Sequence, residues 1–388
     1  MPSLEFNDFV TAILTAVGTL ALFLLKERID RNKERKSQEQ ERLSYFKAYT
    51  DPLRDYCYSL QKRLYDIFKY KARFVDQTVQ HDEFQNYQYI STLYRFCAVL
   101  GWIRAVNREL AGVELGNAEN YKNLKQALKK FEKALTNKEV DSSRLEYLAI
   151  KWGLDISSLQ ADAQKLKSFC NELDQALWQE LILVNQAKKQ KEGEMITSDS
   201  LQSLSKKDQL SVLRSIANKI CKEIGQEEVE MQLIEDTREY ASFVLARKEA
   251  WIYSNWQQAI GDMMLSPSDG SNPNRRFEVM GFRAFESLYL KHEKEDHEDS
   301  RWIKRVDALF RNLKVRSISN SPTDARIPVL KELCECLLIL IESLERLDGE
   351  PDKKTRDKLD QLSAKTQEVL NGNQKKHEEE VSKLAQAE

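Results

Sequence analysis

Apolar residues follow two patterns along this chain. The first is one uninterrupted run, Phe9–Leu25, which carries no charge in 17 positions. The second is the i, i+3, i+4 spacing of helices with one buried face, and it fills nearly all the rest. Leu53, Tyr56, Cys57, Leu60, Leu64, Ile67 and Phe68 form one such stripe. Residues 87–106 are apolar on nearly every side, from Tyr89, Ile90 and Leu93 to Trp102 and Ile103. That marks the buried centre of a bundle, and Arg95 and Arg104 within it argue against a second membrane span. Ile327–Leu347 is also strongly apolar but short and flanked by Glu. No alternating strand stands out. Proline is absent between Pro52 and Pro267, and only 12 glycines occur in 388 residues. The pattern predicts an all-α protein: a single N-terminal transmembrane helix followed by a cytoplasmic helical bundle of about eight to ten helices.

The expected organisation follows from the breakers. Residues 1–8 form a short extracytoplasmic N-terminus, 9–25 the transmembrane helix and 26–48 a charged juxtamembrane helix. Thr50-Asp51-Pro52 then reads as a helix start, a capping residue ahead of a proline at the first helical position. The bundle spans 49–347. His81-Asp82 opens its central helix, and Gly112–Asn120 is a loop. Gly193–Ser205 is the best internal hinge, and Glu228–Leu265 reads as one long helix bearing Trp251, Tyr253 and Trp256. Ser266–Asn274 is a dense Pro/Gly/Ser/Asn cluster, hence a surface loop. Helices over 276–292 and 299–313 follow. Residues 348–388 form a charged, Gln-rich tail with few apolar anchors, expected as a loosely docked or solvated helix.

Seventeen helical residues span roughly 25 Å, the short end of what crosses a hydrocarbon core of about 30 Å. A buried core helix would show a polar face, and this run shows only hydroxyls. A signal peptide needs a basic leading region, yet Glu5 and Asp8 precede the run and no Lys or Arg does. Residues 26–47 hold eight Lys and Arg, Lys26, Arg28, Arg31, Lys33, Arg35 and Lys36 among them. This asymmetry places the N-terminus outside and the bulk of the chain on the cytoplasmic face of the inner (plasma) membrane. Five acidic residues in the same segment leave a local net charge of +3, so attraction to anionic headgroups is modest. Thr11, Thr15, Gly18 and Thr19 put small and hydroxyl residues on the span, a pattern that favours self-association over a threonine-lined pore.

Overall charge adds little. The formal net charge of −2 gives no argument for a nucleic-acid partner. The six cysteines, Cys57, Cys97, Cys170, Cys221, Cys334 and Cys336, sit within apolar helical stripes and read as free thiols in a reducing compartment.

Candidate chemistry is sparse. His292 and His297 lie in the acidic stretch His292–Asp299, but five residues separate them by about 140° on a helix, so a solvated linker is expected rather than a metal site. Arg73 to His81 and Arg283 to His292 are too widely spaced for the Arg-x(4–6)-His pattern of helical ribonucleases. No phosphate-cradling glycine loop or nucleophile elbow occurs, and four histidines leave little for acid–base work. Arg95, Arg104 and Arg108 are the candidates that remain. A buried Arg requires a partner. The expectation is an ion pair with a carboxylate such as Asp66, Asp262 or Glu286, against an anion pocket for a nucleotide or a phospholipid headgroup. No cofactor is expected.

Ala48-Tyr-Thr-Asp-Pro-Leu53, Ser59-Leu-Gln-Lys-Arg-Leu-Tyr65, Ser91-Thr-Leu-Tyr94 with Leu100-Gly-Trp102, and Ala259-Ile-Gly-Asp-Met263 followed by Val279-Met-Gly-Phe-Arg-Ala-Phe285 resemble an uncharacterised family of bacterial membrane-anchored helical proteins. The resemblance covers most of residues 48–345. It departs from the family pattern at Arg104, where an acidic residue tends to follow Gly-Trp. It implies the architecture above and no assigned activity.

The function expected from these readings is a membrane-tethered, non-catalytic scaffold or regulatory protein that binds a protein partner or a second copy of itself. The alternatives are an oligomerising membrane-acting effector in stress or phage defence, and an enzyme with a carboxylate or metal site near 292–299.

Overall fold

The computed structural model describes residues 3–76, 80–110, 118–136, 142–156, 162–192, 204–224, 226–245, 251–270, 272–292, 300–313, 315, 324, 326–347 and 349–385. Within them the chain is helical, with twelve α-helices, one 3-10 turn (Arg73–Val75) and one small hairpin. The helices are α1 (Ser3–Lys69), α2 (Glu83–Leu110), α3 (Ala118–Ala134), α4 (Ser142–Lys151), α5 (Ala163–Glu192), α6 (Lys206–Ile224), α7 (Met231–Leu245), α8 (Ser254–Met264), α9 (Phe282–His292), α10 (Ser300–Phe310), α11 (Arg326–Glu345) and α12 (Lys353–Ala385).

The described helices outnumber the expected eight to ten, and particular breaks explain the differences. The stretch read as one helix over Glu228–Leu265 divides into α7 and α8. The stretch read as helical from residue 276 instead begins with β2 (Phe277–Val279), antiparallel to β1 (Leu265–Pro267) with Ser266 opposite Glu278. The intervening residues are the Pro/Gly/Ser/Asn cluster, which a hairpin turn explains as well as a loop does.

One expected break does not occur. Thr50-Asp51-Pro52 starts nothing: Pro52 lies inside α1, which is continuous over 67 residues. A proline there removes the amide that would bond the carbonyl of residue 48. That carbonyl is taken by Arg275, whose Nε donates to Ala48 O at 2.7 Å. A side chain from the hairpin thus satisfies the helix where its own backbone cannot.

Two separate apolar cores form. The larger is centred on α2, whose Leu93, Phe96, Cys97, Val99 and Val106 are fully buried, as the all-round apolar pattern predicts. It is enclosed by α1, α8, α9, α10 and, through α1 and α3, α11. The smaller is built by α4 to α7, with Trp152, Leu173, Leu213, Ile216 and Ile234 at its centre and the Trp152 indole donating to Thr237 Oγ1 at 2.8 Å. The chain leaves the larger core at Leu135 and re-enters it at Ile252, and the two are tied directly by Ile252 N donating to Leu135 O at 2.9 Å. The smaller core is therefore an insertion whose ends meet.

Local signals account for several boundaries. Asp82 accepts from the amide of Gln85 at 2.7 Å at the start of α2, and Ser205 accepts from that of Asp208 at 3.2 Å at the start of α6; both are N-caps. The expected hinge at 193–205 lies outside the described residues except for Leu204 and Ser205. The C-terminal tail is less solvated than its charge suggests. In α12, Leu359, Thr366 and Val369 are buried, Thr366 Oγ1 accepts from Gln61 at 2.7 Å, and Lys69 of α1 pairs with Glu368.

Among the described residues, no helix is long and apolar enough to cross a membrane. Most side chains of Phe9–Leu25 lie outside that description, although its backbone is part of α1. Of the described ones, Thr11, Thr19, Phe23 and Leu25 are exposed. The self-association positions Thr15 and Gly18 fall on side chains outside the description.

Candidate functional site

The candidate site lies at the C-terminal half of α2, where it crosses α8. Two glycines set the crossing. A Cβ on Gly261 would sit 2.7 Å from Arg104 Cβ and 2.9 Å from Leu100 O, and one on Gly101 would sit 2.9 Å from Met264 Cβ. Only glycine at both positions lets the backbones come this close. The contact carries Asp262 against α2, where it meets two of the three arginines expected to need a partner.

Arg104 grips Asp262 with both faces of its fork, Nε to Oδ1 at 2.7 Å and Nη2 to Oδ2 at 3.2 Å. Arg108, one turn on, adds Nη2 to Oδ1 at 2.7 Å and lies 5.3 Å from the Phe277 ring of β2. The expected ion pair with Asp262 is thus present for Arg104 and Arg108. A bidentate geometry is the strong form of this interaction, and all three side chains keep some exposure to water, which moderates its worth.

The same end of α2 holds Glu109, whose side chain is 4% exposed. Its Oε2 accepts from Tyr45 of α1 at 2.9 Å and from Arg276 Nη2 at 2.8 Å, while its Oε1 is buried with no protein partner. Arg276 Nε also donates to the Tyr45 hydroxyl at 3.1 Å. Burial first, and then the bond to Glu109, push the Tyr45 phenol up to about 12. Arg275 lies 5.2 Å from the Trp102 ring and pairs with Glu278 at 3.3 Å. Arg104, Arg108, Arg275 and Arg276 therefore each meet a carboxylate, and together they lock α1, α2, α8 and the hairpin to one another.

Arg95 behaves differently. It sits two turns earlier on α2 and meets no carboxylate among the described residues. Nε donates to Ser59 Oγ at 2.8 Å and Nη1 to Ser91 O at 2.9 Å. Of its three expected carboxylates, Asp262 belongs to Arg104 and Arg108, and neither Asp66 nor Glu286 pairs with it. Its neighbour is another arginine, Arg63, which the sequence reading did not single out. Glu109, Arg275, Arg276 and Gly261 were not singled out either. Arg275-Arg276 directly follow the loop cluster, the one local signal that could have drawn attention to them.

The histidine stretch lies largely outside the described residues. His292 ends α9 with its side chain outside the description, and His297 lies outside the described residues. Among the described residues no group of His, Cys, Asp and Glu could hold a metal ion. All six cysteines are buried, as their stripes predict. An open depression of about 460 Å3 on the inserted core is lined by Lys207, Ser211, Arg214, Asn218 and Met231 among others. Arg214 there already faces Glu228 at 3.8 Å.

No family model, curated protein or solved structure matches this chain.

Proposed function

We propose that this chain is a membrane-tethered helical scaffold or regulatory protein, held on the cytoplasmic face of the inner membrane by residues 9–25 and acting by binding rather than catalysis. The observation that carries the reading is the continuity of α1. One helix, Ser3–Lys69, has the uncharged apolar run near one end and core residues Tyr49, Leu53, Cys57, Leu60 and Leu64, all fully buried, toward the other. Between them Lys26, Arg28, Arg31 and Lys33 are exposed. The first buried side chain described in α1 is Phe46, about 30 Å along the helix from Leu25. A charged spacer, exposed at most of its described positions, suits a helix that stands its bundle off a surface. Its basic excess supports weak contact with anionic lipid.

The binding half of the proposal draws on the fate of the candidate residues. Arg104, Arg108 and Asp262 are committed to one another at a helix crossing, which is the work of a scaffold.

Topology reporters test the arrangement. A phosphatase fused ahead of Met1 is expected to be active, because it lies outside, and a fluorescent protein fused after Glu388 is expected to fold and fluoresce in the cytoplasm. An inactive N-terminal phosphatase, or a C-terminal reporter accessible from outside intact cells, would reverse the orientation and defeat the proposal.

A further inference from the structure

Arg63 of α1 and Arg95 of α2 converge on one residue, Ser91. Arg63 Nη2 donates to Ser91 Oγ at 3.4 Å, and Arg95 Nη1 donates to the Ser91 carbonyl at 2.9 Å. Both arginines are half-buried, and Arg63 also lies 5.2 Å from the Phe74 ring. Several other half-buried or buried arginines have a carboxylate: Arg104 with Asp262, Arg311 with Asp307, Arg326 with Asp324. Here no described carboxylate lies within ion-pairing distance of either guanidinium. Burial first and the Arg95 charge second pull the Arg63 guanidinium below its usual value, with Asp66 only partly opposing them.

Two desolvated like charges side by side are costly unless an anion joins them. The forks are also underused: of five N–H donors on each guanidinium, Arg63 spends one on protein and Arg95 two. Free donors on paired forks match the oxygens of a phosphoryl group.

The surroundings narrow the ligand. Tyr87 and Phe84 lie on the same face of α2 as Ser91, one and two turns earlier. They are 43% and 64% exposed and stack on each other at 6.4 Å with 28° between planes. Tyr87 lies one turn of α2 before Ser91, the residue that both arginines reach. It is held edge-on by Phe282 at 5.3 Å, which in turn meets Tyr94 at 5.5 Å. An exposed, braced aromatic face beside a phosphate-competent arginine pair suits a flat base.

We propose that Arg63 and Arg95 bind the phosphoryl group of a nucleotide whose base lies against Tyr87 and Phe84. A membrane lipid headgroup offers the same phosphate, but distance tells against it on the tethered reading. Arg63 lies about 57 Å along α1 from Leu25, well beyond the headgroup layer.

The test is calorimetric titration of the full chain in detergent with AMP, ribose 5-phosphate and inorganic phosphate, and a flotation assay with phosphatidylserine vesicles. Saturable AMP binding is expected. Arg63→Gln or Arg95→Gln should weaken it at least tenfold, and Phe84→Ala with Tyr87→Ala should weaken AMP about tenfold while leaving ribose 5-phosphate unchanged. Absence of saturable AMP binding to the folded wild type would overturn the proposal. So would equal binding of AMP and inorganic phosphate, or arginine-dependent vesicle binding without AMP binding. Phe84 and Tyr87 are exposed and tolerate truncation, so the test stands even where an arginine variant fails to fold. Failure of the topology reporters would leave the AMP result intact, since only the choice against lipid depends on the tether.

Discussion

At the residue scale, the most constrained positions are the two glycines of the α2–α8 crossing. Replacing a helical glycine by alanine gains about 1 kcal/mol in propensity. Forcing a methyl into a packed contact costs about 1–3 kcal/mol. At Gly261 the added carbon would meet Arg104 Cβ at 2.7 Å and a backbone carbonyl at 2.9 Å, so the steric term wins. Gly261→Ala is expected to lower the thermal midpoint and to loosen the Asp262 pairing. Gly281→Ala, where nothing lies within 4 Å, should leave it nearly unchanged. Equal melting of both variants would show that the crossing is not as close as described. Arg104 illustrates what sequence could tell about this site. Its place in an apolar helix demanded a carboxylate, and Asp262 was among those named. That Arg95 lacks one could not be read, because it depends on which residues α1 and α9 bring alongside.

At the element scale, α1 shows why local signals mislead. Thr50-Asp51-Pro52 has the form of a helix start, and a proline does remove one backbone bond. The helix continues because Arg275, distant in sequence, supplies the missing donor to Ala48 O. A double-mutant cycle isolates that link. Arg275→Ala is expected to cost about 1–2 kcal/mol when Pro52 is present and about 1 kcal/mol less when Pro52→Ala has restored the amide. Denaturant melts of the four proteins would measure it, and strict additivity would contradict it. The elements read correctly are those whose evidence is periodic and local: α2 with its start at His81-Asp82, α10 and α11. The hairpin was missed because three-residue strands carry no readable alternation. The break between α7 and α8 was missed because its apolar Trp251-Ile252-Tyr253 continues a helical pattern while Ile252 bonds back to Leu135.

At the scale of the whole molecule, the all-helical class followed from composition and periodicity, whereas the presence of two cores did not. The insertion of α4 to α7 is invisible to periodicity, since helices of either core carry the same stripes; only the tie between Leu135 and Ile252 reveals it. The larger core is assembled from the two ends of the chain, so α1 links whatever holds its N-terminal run to the centre of the bundle. On the proposed function, this would make the tether mechanically direct. Alkaline carbonate extraction of cells expressing the full chain, with sedimentation of the membranes, tests it most directly. The intact chain is expected to stay with the pellet and be released by detergent, whereas a variant with Ile13, Leu14 and Leu20 replaced by Asp is found in the supernatant. The unaltered full-length chain in the carbonate supernatant would contradict it.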